Sequence, residues 1–415
     1  MALPDGLRLR HAYRGSVIYE TPPIGVEEVL TLGRIAAYRR ELDSELAQPE
    51  RWVGPVRRLV AAEAIQRSTG IGGYNVPLEE ALAAVESDRP MAWDAIPGGA
   101  PTFTTEILSN WNAVLAYRRA MTYVFQLSQD DEFEYTPAVL RALHFIMTEY
   151  SIDARPGLWR TGPVWISGKS NGETVYEGPP AERVPELVDE LMTNLAIEHE
   201  KAVRVRARTA SRPGDPLVRA AMAHLNLVMI HPFKDGNGRM GRALQTLVLT
   251  REGIFDPEWC SIEEYLGDNT DAYFRVLAEV GRGRWTPQNN ALPWVRFCLQ
   301  AYDVQVYRIL RRVRESRLVW EQLEGLVRRS SLPERCTYAL FDASIGLRVT
   351  NAAYRNVLRF EGEAISSKLA GRDLHRMVEY GLLERRGDNR GSYYIARAPL
   401  VAIRRRVTAA RGLAA

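Results

Sequence analysis

The chain has 415 residues, 46% of them apolar and 25% charged, which is the composition of a folded globular protein and not of a disordered or fibrous one. No stretch reaches the roughly 18–20 uninterrupted apolar residues of a membrane span, no charged-then-apolar leader opens the chain, and Cys260, Cys298 and Cys336 are too scattered for a disulfide framework or a CxxC metal site. These features predict a cytoplasmic protein with no membrane partner. The net charge of +3 is the sum of unlike parts: residues 301–415 hold 22 Lys/Arg against 12 Asp/Glu, a net of +10, and the first 300 residues carry −7.

Taken in chain order, the pattern predicts a largely helical protein. A helix starts near Val26, and Val56–Gln66 is an amphipathic stretch that stops where Gly70, Gly72 and Gly73 interrupt the period. Pro77 opens another helix with acids in its first turn. Thr105 to about Tyr150 is helical, split near Asp130-Asp131. Two short β-prone runs, Val164–Ser167 and Thr174–Tyr176, flank a Gly/Asn/Ser turn and read as a hairpin. Helices follow over 184–196, 216–230, 243–251, 270–281 and 293–315. Short helices at 334–342, 350–359 and 365–380 precede a second hairpin, 382–386 with 392–395; that order is the order of a winged helix.

The segment His231–Arg242, HPFKDGNGRMGR, concentrates the chemistry. His231 stands where a helix ends, and Pro232 prevents its continuation. Gly236-Asn237-Gly238 tolerates positive φ and exposes backbone N–H groups. A new helix begins at once, and its unpaired first-turn N–H groups and dipole favour an anion. Arg239 and Arg242, three apart, share one helix face, and guanidinium forks suit phosphate oxygens. Asp235 is a hard oxygen ligand suited to Mg²⁺ shared with phosphates and water. His231 has the ordinary pKa of a general base.

This segment resembles the full signature of Fic-domain proteins, HPFx(D/E)GNGRxxR, with the helix and hairpin before it in the expected places. The resemblance covers roughly residues 20–300. It implies a mostly α fold: a Fic-type helical bundle with a β-hairpin flap, followed here by the winged-helix-like domain. It implies a protein adenylyltransferase that moves AMP from ATP–Mg²⁺ onto a Tyr, Thr or Ser hydroxyl of a target protein, or of itself. His231 then matches the catalytic base and Asp235 the Mg²⁺ ligand. Gly236, Asn237 and Gly238 match the phosphate nest, and Arg239 and Arg242 the phosphate-binding arginines, with Met240 and Gly241 between them in the same nucleotide-binding segment. Phe233 resembles the apolar anchor of the loop. Val164, Trp165, Ile166, Thr174, Val175 and Tyr176 resemble the flap on which an extended target segment docks by strand addition. Tyr273 and Phe274 resemble an aromatic pair at the adenine pocket; helical-core packing accounts for them equally well.

Many relatives carry an inhibitory helix with the pattern (S/T)xxxE(G/N), whose glutamate pairs with the second motif arginine. The matching stretch is Ser68-Thr69-Gly70-Ile71-Gly72-Gly73. Serine and spacing fit, but Gly72 stands at the glutamate position, so the resemblance implies a chain without that brake. The expected organisation is a helical region over 1–104 with the inhibitory-helix-like segment at 56–73. A catalytic domain over 105–300, a helical linker over 301–330, the winged-helix-like domain over 331–400 and a basic tail over 401–415 follow. In the C-terminal domain Ser366, Ser367, Lys368, Arg372 and Arg376 would present a recognition helix, and Arg385, Arg386 and Arg390 a wing, to DNA. Two alternatives stay open: a DNA-binding regulator with an accessory Fic domain, and transfer of a phosphate-containing group other than AMP. A homodimer is left open as well.

Overall fold

The computed structural model describes residues 17–47, 50–86, 105–167, 174–206, 215–254, 259, 261–387 and 392–412. The turn between the first two predicted strands, Cys260 and wing residue Arg390 lie outside them. Among the described residues there are fifteen α-helices: α1 (Val26–Leu46), α2 (Val53–Ile71), α3 (Leu78–Glu86), α4 (Thr105–Gln129), α5 (Pro137–Thr148), α6 (Val184–Arg206), α7 (Pro216–Ile230), α8 (Asn237–Arg251), α9 (Glu263–Asp268), α10 (Thr270–Gly281), α11 (Leu292–Arg329), α12 (Cys336–Ser344), α13 (Asn351–Phe360), α14 (Ser367–Glu379) and α15 (Ala398–Gly412). Five short strands accompany them: β1 (Trp165–Ser167), β2 (Thr174–Glu177), β3 (Gly283–Arg284), β4 (Leu383–Arg386) and β5 (Tyr393–Ala396). The protein is thus mostly α, and no helix among the described residues is long and apolar enough to cross a membrane.

The chain divides into two compact units. One comprises residues up to Ala36, Arg67–Tyr74 and Ala116–Gln305; the other comprises Ala37–Gln66, Asn75–Leu115 and Val306 onward. At the centre of the first unit lies α7, buried at every position, its polar side chains Arg219, His224 and Asn226 each paired within the core. Asp215 caps it by accepting from the Leu217 N–H, with Pro216 at its first position. Its closest neighbour is α8. A Cβ at Gly241 would stand 2.6 Å from the His224 ring and 2.8 Å from a Val228 methyl, so only glycine allows this helix-to-helix approach. Asn226 of α7 pins the incoming chain, exchanging hydrogen bonds with the backbone N–H (2.8 Å) and carbonyl (3.1 Å) of Tyr19.

β1 and β2 form the expected antiparallel hairpin, with Ile166 opposite Tyr176. Two residues of β3 extend it in parallel, Tyr176 opposite Gly283, leaving β1 as an edge.

The second unit contains α3, α12, α13, α14, the β4–β5 hairpin and α15. Thr350 and Ser366 cap α13 and α14. Its core includes one buried cation between two buried carboxylates: Arg58 is ion-paired to Glu86 and to Asp342. Several spans differ from the sequence reading. Helix α2 continues through Gly70 to Ile71, α11 runs on to Arg329, and the stretch read as a basic tail is helical to Gly412; α6 also runs to Arg206, past its expected end at 196, and α9 is a helix the sequence reading did not give. In the first two the apolar face outlasts the local propensity signal, and packing overrides the roughly 1 kcal/mol cost of a helical glycine.

Candidate active site

The end of α7 and the start of α8 form a rigid elbow. His231 terminates α7 in the left-handed conformation (φ 51°) while its N–H closes on the Leu227 carbonyl at 2.9 Å. Its Nδ1 lies 3.1 Å from the Val228 carbonyl, so the ring proton sits on Nδ1 and Nε2 is left as the proton acceptor. Burial is the chief reason the imidazole's pKa falls to about 4, with the Arg160 guanidinium adding to the fall; the Val228 hydrogen bond and Asp235 oppose it. At neutral pH His231 is therefore an uncharged base.

The loop that follows is clamped from within and without. Asn237 accepts from the Phe233 N–H at 3.0 Å and donates to the Phe233 carbonyl at 2.8 Å. Phe233 is fully buried and stacks on His144, ring centroids 3.7 Å apart and nearly parallel. His144 accepts from the Gly157 N–H through Nδ1 and donates to the Asp235 carbonyl through Nε2, at 2.9 and 3.0 Å. Burial lowers its pKa to about 4, so it too is neutral. Arg160 holds the other side. It donates to the carbonyls of His231 (2.8 Å), Gly162 (2.7 Å) and Pro179, while its own N–H meets the Pro232 carbonyl at 2.9 Å. Gly236, at φ 80°, turns the chain into α8; a Cβ there would also press on Thr148.

These elements surround a cavity of about 710 Å³. Eleven residues singled out in the sequence line it together: Gly72, Tyr176, His231, Asp235, Gly236, Asn237, Gly238, Arg239, Arg242, Tyr273 and Phe274. Arg242 is 2% exposed. Its Nε and Nη2 donate to the hydroxyl and carbonyl of Ser68, and its Nη1 is buried with no hydrogen-bond partner. A buried, unpaired guanidinium N–H is costly, and an anion brought within its reach would satisfy it. Arg239 donates to the Tyr150 hydroxyl at 3.1 Å and to Asp235 at 3.4 Å. The Asp235 side chain is 52% exposed and presents its carboxylate to the cavity. Among the described residues no three His, Cys, Asp or Glu side chains gather as a metal site. One carboxylate beside a phosphate cradle is the arrangement by which Mg²⁺ is held jointly with phosphates and water, and the donor set fits that ion.

Other residues fall elsewhere. Met240 is buried in the core and Gly241 faces α7. Tyr273 is buried, with its hydroxyl 3.1 Å from His224 Nε2, so one face serves the core and another the cavity wall. In the flap, Tyr176 is buried and donates to the Met229 carbonyl at 2.8 Å, Trp165 is half exposed on the edge strand, and the Val164 carbonyl accepts from Gly178. Ile166, Thr174 and Val175 occupy strand positions. In the second unit, Lys368 and Arg372 are exposed. There Ser366 caps α14 and Ser367 bonds to Asn351. Arg376 donates to the Ser331 carbonyl, Arg385 to Ser392, and Arg386 pairs with Glu384. Sequence reasoning missed Tyr74, His144, Tyr150 and Arg160, each contributed by a segment distant from the motif and carrying no local pattern of its own.

Comparison with known proteins places this geometry. Residues 134–249 match the model of the Fic/DOC family. The chain is 35% identical over 152 residues to protein adenylyltransferase fic-1 of Caenorhabditis briggsae, which is 36% of this chain and 26% of that protein. It is 39% identical over 93 residues to a Fido domain-containing protein of Dictyostelium discoideum, which is 22% of this chain and 61% of that one. It thus spans about a quarter of the fic-1 relative's length. In fold it is similar to a Fic domain-containing signaling protein from Bacteroides thetaiotaomicron (TM-score 0.52, 18% identity, 68% of this chain and 98% of that chain). A comparable match is Fic-1 from Caenorhabditis elegans (TM-score 0.50, 20% identity, 69% and 73%). The motif at 231–242 lies inside the segment that matches the Fic/DOC family model.

Proposed function

We propose that the protein is an adenylyltransferase that transfers AMP from ATP to a hydroxyl group of a protein. The observation that carries this is the shared cavity: His231, whose ring leaves Nε2 unprotonated, and Arg242 line one space together with the residues that start α8. A base at one end and a polyphosphate cradle at the other suit in-line attack on a phosphorus between them. In that reaction the target oxygen bonds to the α-phosphorus, its proton passes to His231 Nε2, and pyrophosphate leaves against Arg239, Arg242 and the first-turn N–H groups of α8. When bound, Mg²⁺ neutralises phosphate charge, and Asp235 would hold it. Tyr273 and Phe274 would flank the adenine, and the free edge of β1 would take an extended target segment by strand addition. With Gly72 at the inhibitory position, no carboxylate from that position competes for Arg242.

The test is incubation of the protein with Mg²⁺ and cell lysate, using ATP labelled at either the α- or the γ-phosphate. AMP transfer leaves the α label on protein and the γ label in solution; phosphate transfer does the reverse. His231→Ala should abolish labelling, and persistence of the label in that variant contradicts the mechanism. The second unit supplies a further reading, DNA contact by a winged helix, supported by the exposed Lys368 and Arg372 on α14. A salt-dependent gel shift lost in the double alanine variant would test it.

A further inference from the structure

We propose that Tyr74 is a latch on this site, covering the phosphate-binding and metal-binding side chains until Mg²⁺–ATP displaces it; the proposal rests on the nucleotide-binding reading above. The chain leaves α2 through Gly73, at φ 92°, and the Tyr74 N–H closes back on the Thr69 carbonyl at 3.1 Å. That turn carries the Tyr74 ring over the Arg239 guanidinium, 4.9 Å from its centroid. The Tyr74 hydroxyl lies 3.5 Å from Asp235 Oδ2, the oxygen that also faces Arg239 Nη2 at 3.4 Å. Tyr150 closes the group, its ring edge-on to Tyr74 at 6.2 Å and its hydroxyl on Arg239 Nη1.

The two groups that would serve the ligand, a carboxylate for the metal and a guanidinium for phosphate, are thus turned onto each other beneath one phenol. Both Asp235 contacts are at the long limit of hydrogen bonding, so they occupy the groups without holding them tightly. Residue 72 shares the space: a Cβ at Gly72 would lie 3.7 and 3.9 Å from the Tyr74 ring. The aromatic ring therefore borders the place a glutamate would take. Tyr74 opposes ligand entry through Asp235 and Arg239, on the other side of the cradle from Arg242.

The contacts divide between two parts of the side chain, and the test uses that division. In the full-length His231→Ala background, which stops turnover, ATP affinity is measured by calorimetry with Mg²⁺ and again in EDTA. Tyr74→Phe removes the hydroxyl's contacts with Asp235 and Tyr150 and keeps the ring over Arg239. It should tighten binding in Mg²⁺ by about threefold, the scale of one weak hydrogen bond, and leave binding in EDTA unchanged. Tyr74→Ala also uncovers Arg239 and should tighten both. The phenylalanine variant keeps the ring and its packing, so it decides the matter if the alanine variant unfolds. Unchanged or weaker binding in Tyr74→Phe with Mg²⁺ overturns the latch and makes Tyr74 a support for Arg239. Absence of ATP binding by the background protein overturns the latch and the nucleotide-binding reading together, whereas binding that Arg242→Ala abolishes leaves that reading standing.

Discussion

Arg242 gives two of its donors to one residue: its Nε reaches the Ser68 hydroxyl at 2.7 Å and its Nη2 the Ser68 carbonyl at 2.8 Å. The end of α2 is thus bound to the guanidinium, and only Nη1 is unsatisfied. Gly72 follows four residues later with open cavity before it and no positive φ, so a side chain can be built there with only a tight approach to the Thr69 carbonyl (3.3 Å). Gly72→Glu should place a carboxylate beside Nη1 and lower auto-labelling at least about tenfold, the effect of one charge-assisted hydrogen bond. Equal labelling by the two proteins would show that position 72 does not regulate the site.

The depressed pKa of His231 predicts the pH profile. An unperturbed imidazole titrates near 6.5, but here the charged form is disfavoured and the midpoint is about 4. The base is therefore already deprotonated above about pH 5 and becomes protonated, and inactive, only below that. A kcat/KM profile that is flat from pH 8 to about 5 and then declines agrees with this environment. An acid limb centred near 6.5 would contradict it.

Arg160 touches no candidate substrate position, yet it joins the carbonyl of His231 to that of Pro179, next to the flap. Arg160→Ala should reduce the transfer rate by roughly 10–100-fold through misplacement of the base, with ATP affinity in calorimetry unchanged. Arg160→Lys should not restore it, since an ammonium cannot satisfy three carbonyls in a fork. An equal loss of ATP affinity would place its role in nucleotide binding instead.

The second unit carries its own titration. Arg58 faces both Glu86 and Asp342, and one cation cannot neutralise two buried carboxylates. Desolvation raises the pKa of both, that of Glu86 from 4.5 to about 7. Between those values the folded state holds a proton that the unfolded chain has lost, so stability falls as pH rises through the window. The melting temperature should drop by a few degrees from pH 5 to pH 8. Glu86→Gln, which keeps the shape and removes the charge, should flatten that slope; an unchanged slope would assign it to other groups.

How much of this was legible beforehand follows from where each group sits in the chain. The base, the carboxylate, the glycine turn and both arginines lie within twelve consecutive residues, so spacing alone relates them. Tyr74 reaches the same site from the end of α2, and His144, Tyr150 and Arg160 from the stretch 144–160, and no periodicity ties a lone tyrosine or arginine to a cavity formed elsewhere. Strand β3 has two residues and exists only because β2 lies beside it. Gly241 sits inside the motif, yet its reason is the packing of α8 on α7, which the sequence shows only as a gap between arginines. Arg376, read as a DNA-facing cation, also donates to the Ser331 carbonyl in the turn after α11, a partner more than forty residues away that the sequence does not show.

The Arg160 fork gives the molecule a ruler. The same guanidinium fixes the backbone of the base and the backbone at the foot of the hairpin, so a displacement of either is transmitted to the other. For a strand docked as proposed, its spacing from the imidazole would be a property of this chain's own backbone. If the proposed strand addition holds, which hydroxyl comes into range would be decided by how far along that strand it lies, and a target would need the right register more than the right neighbouring side chains.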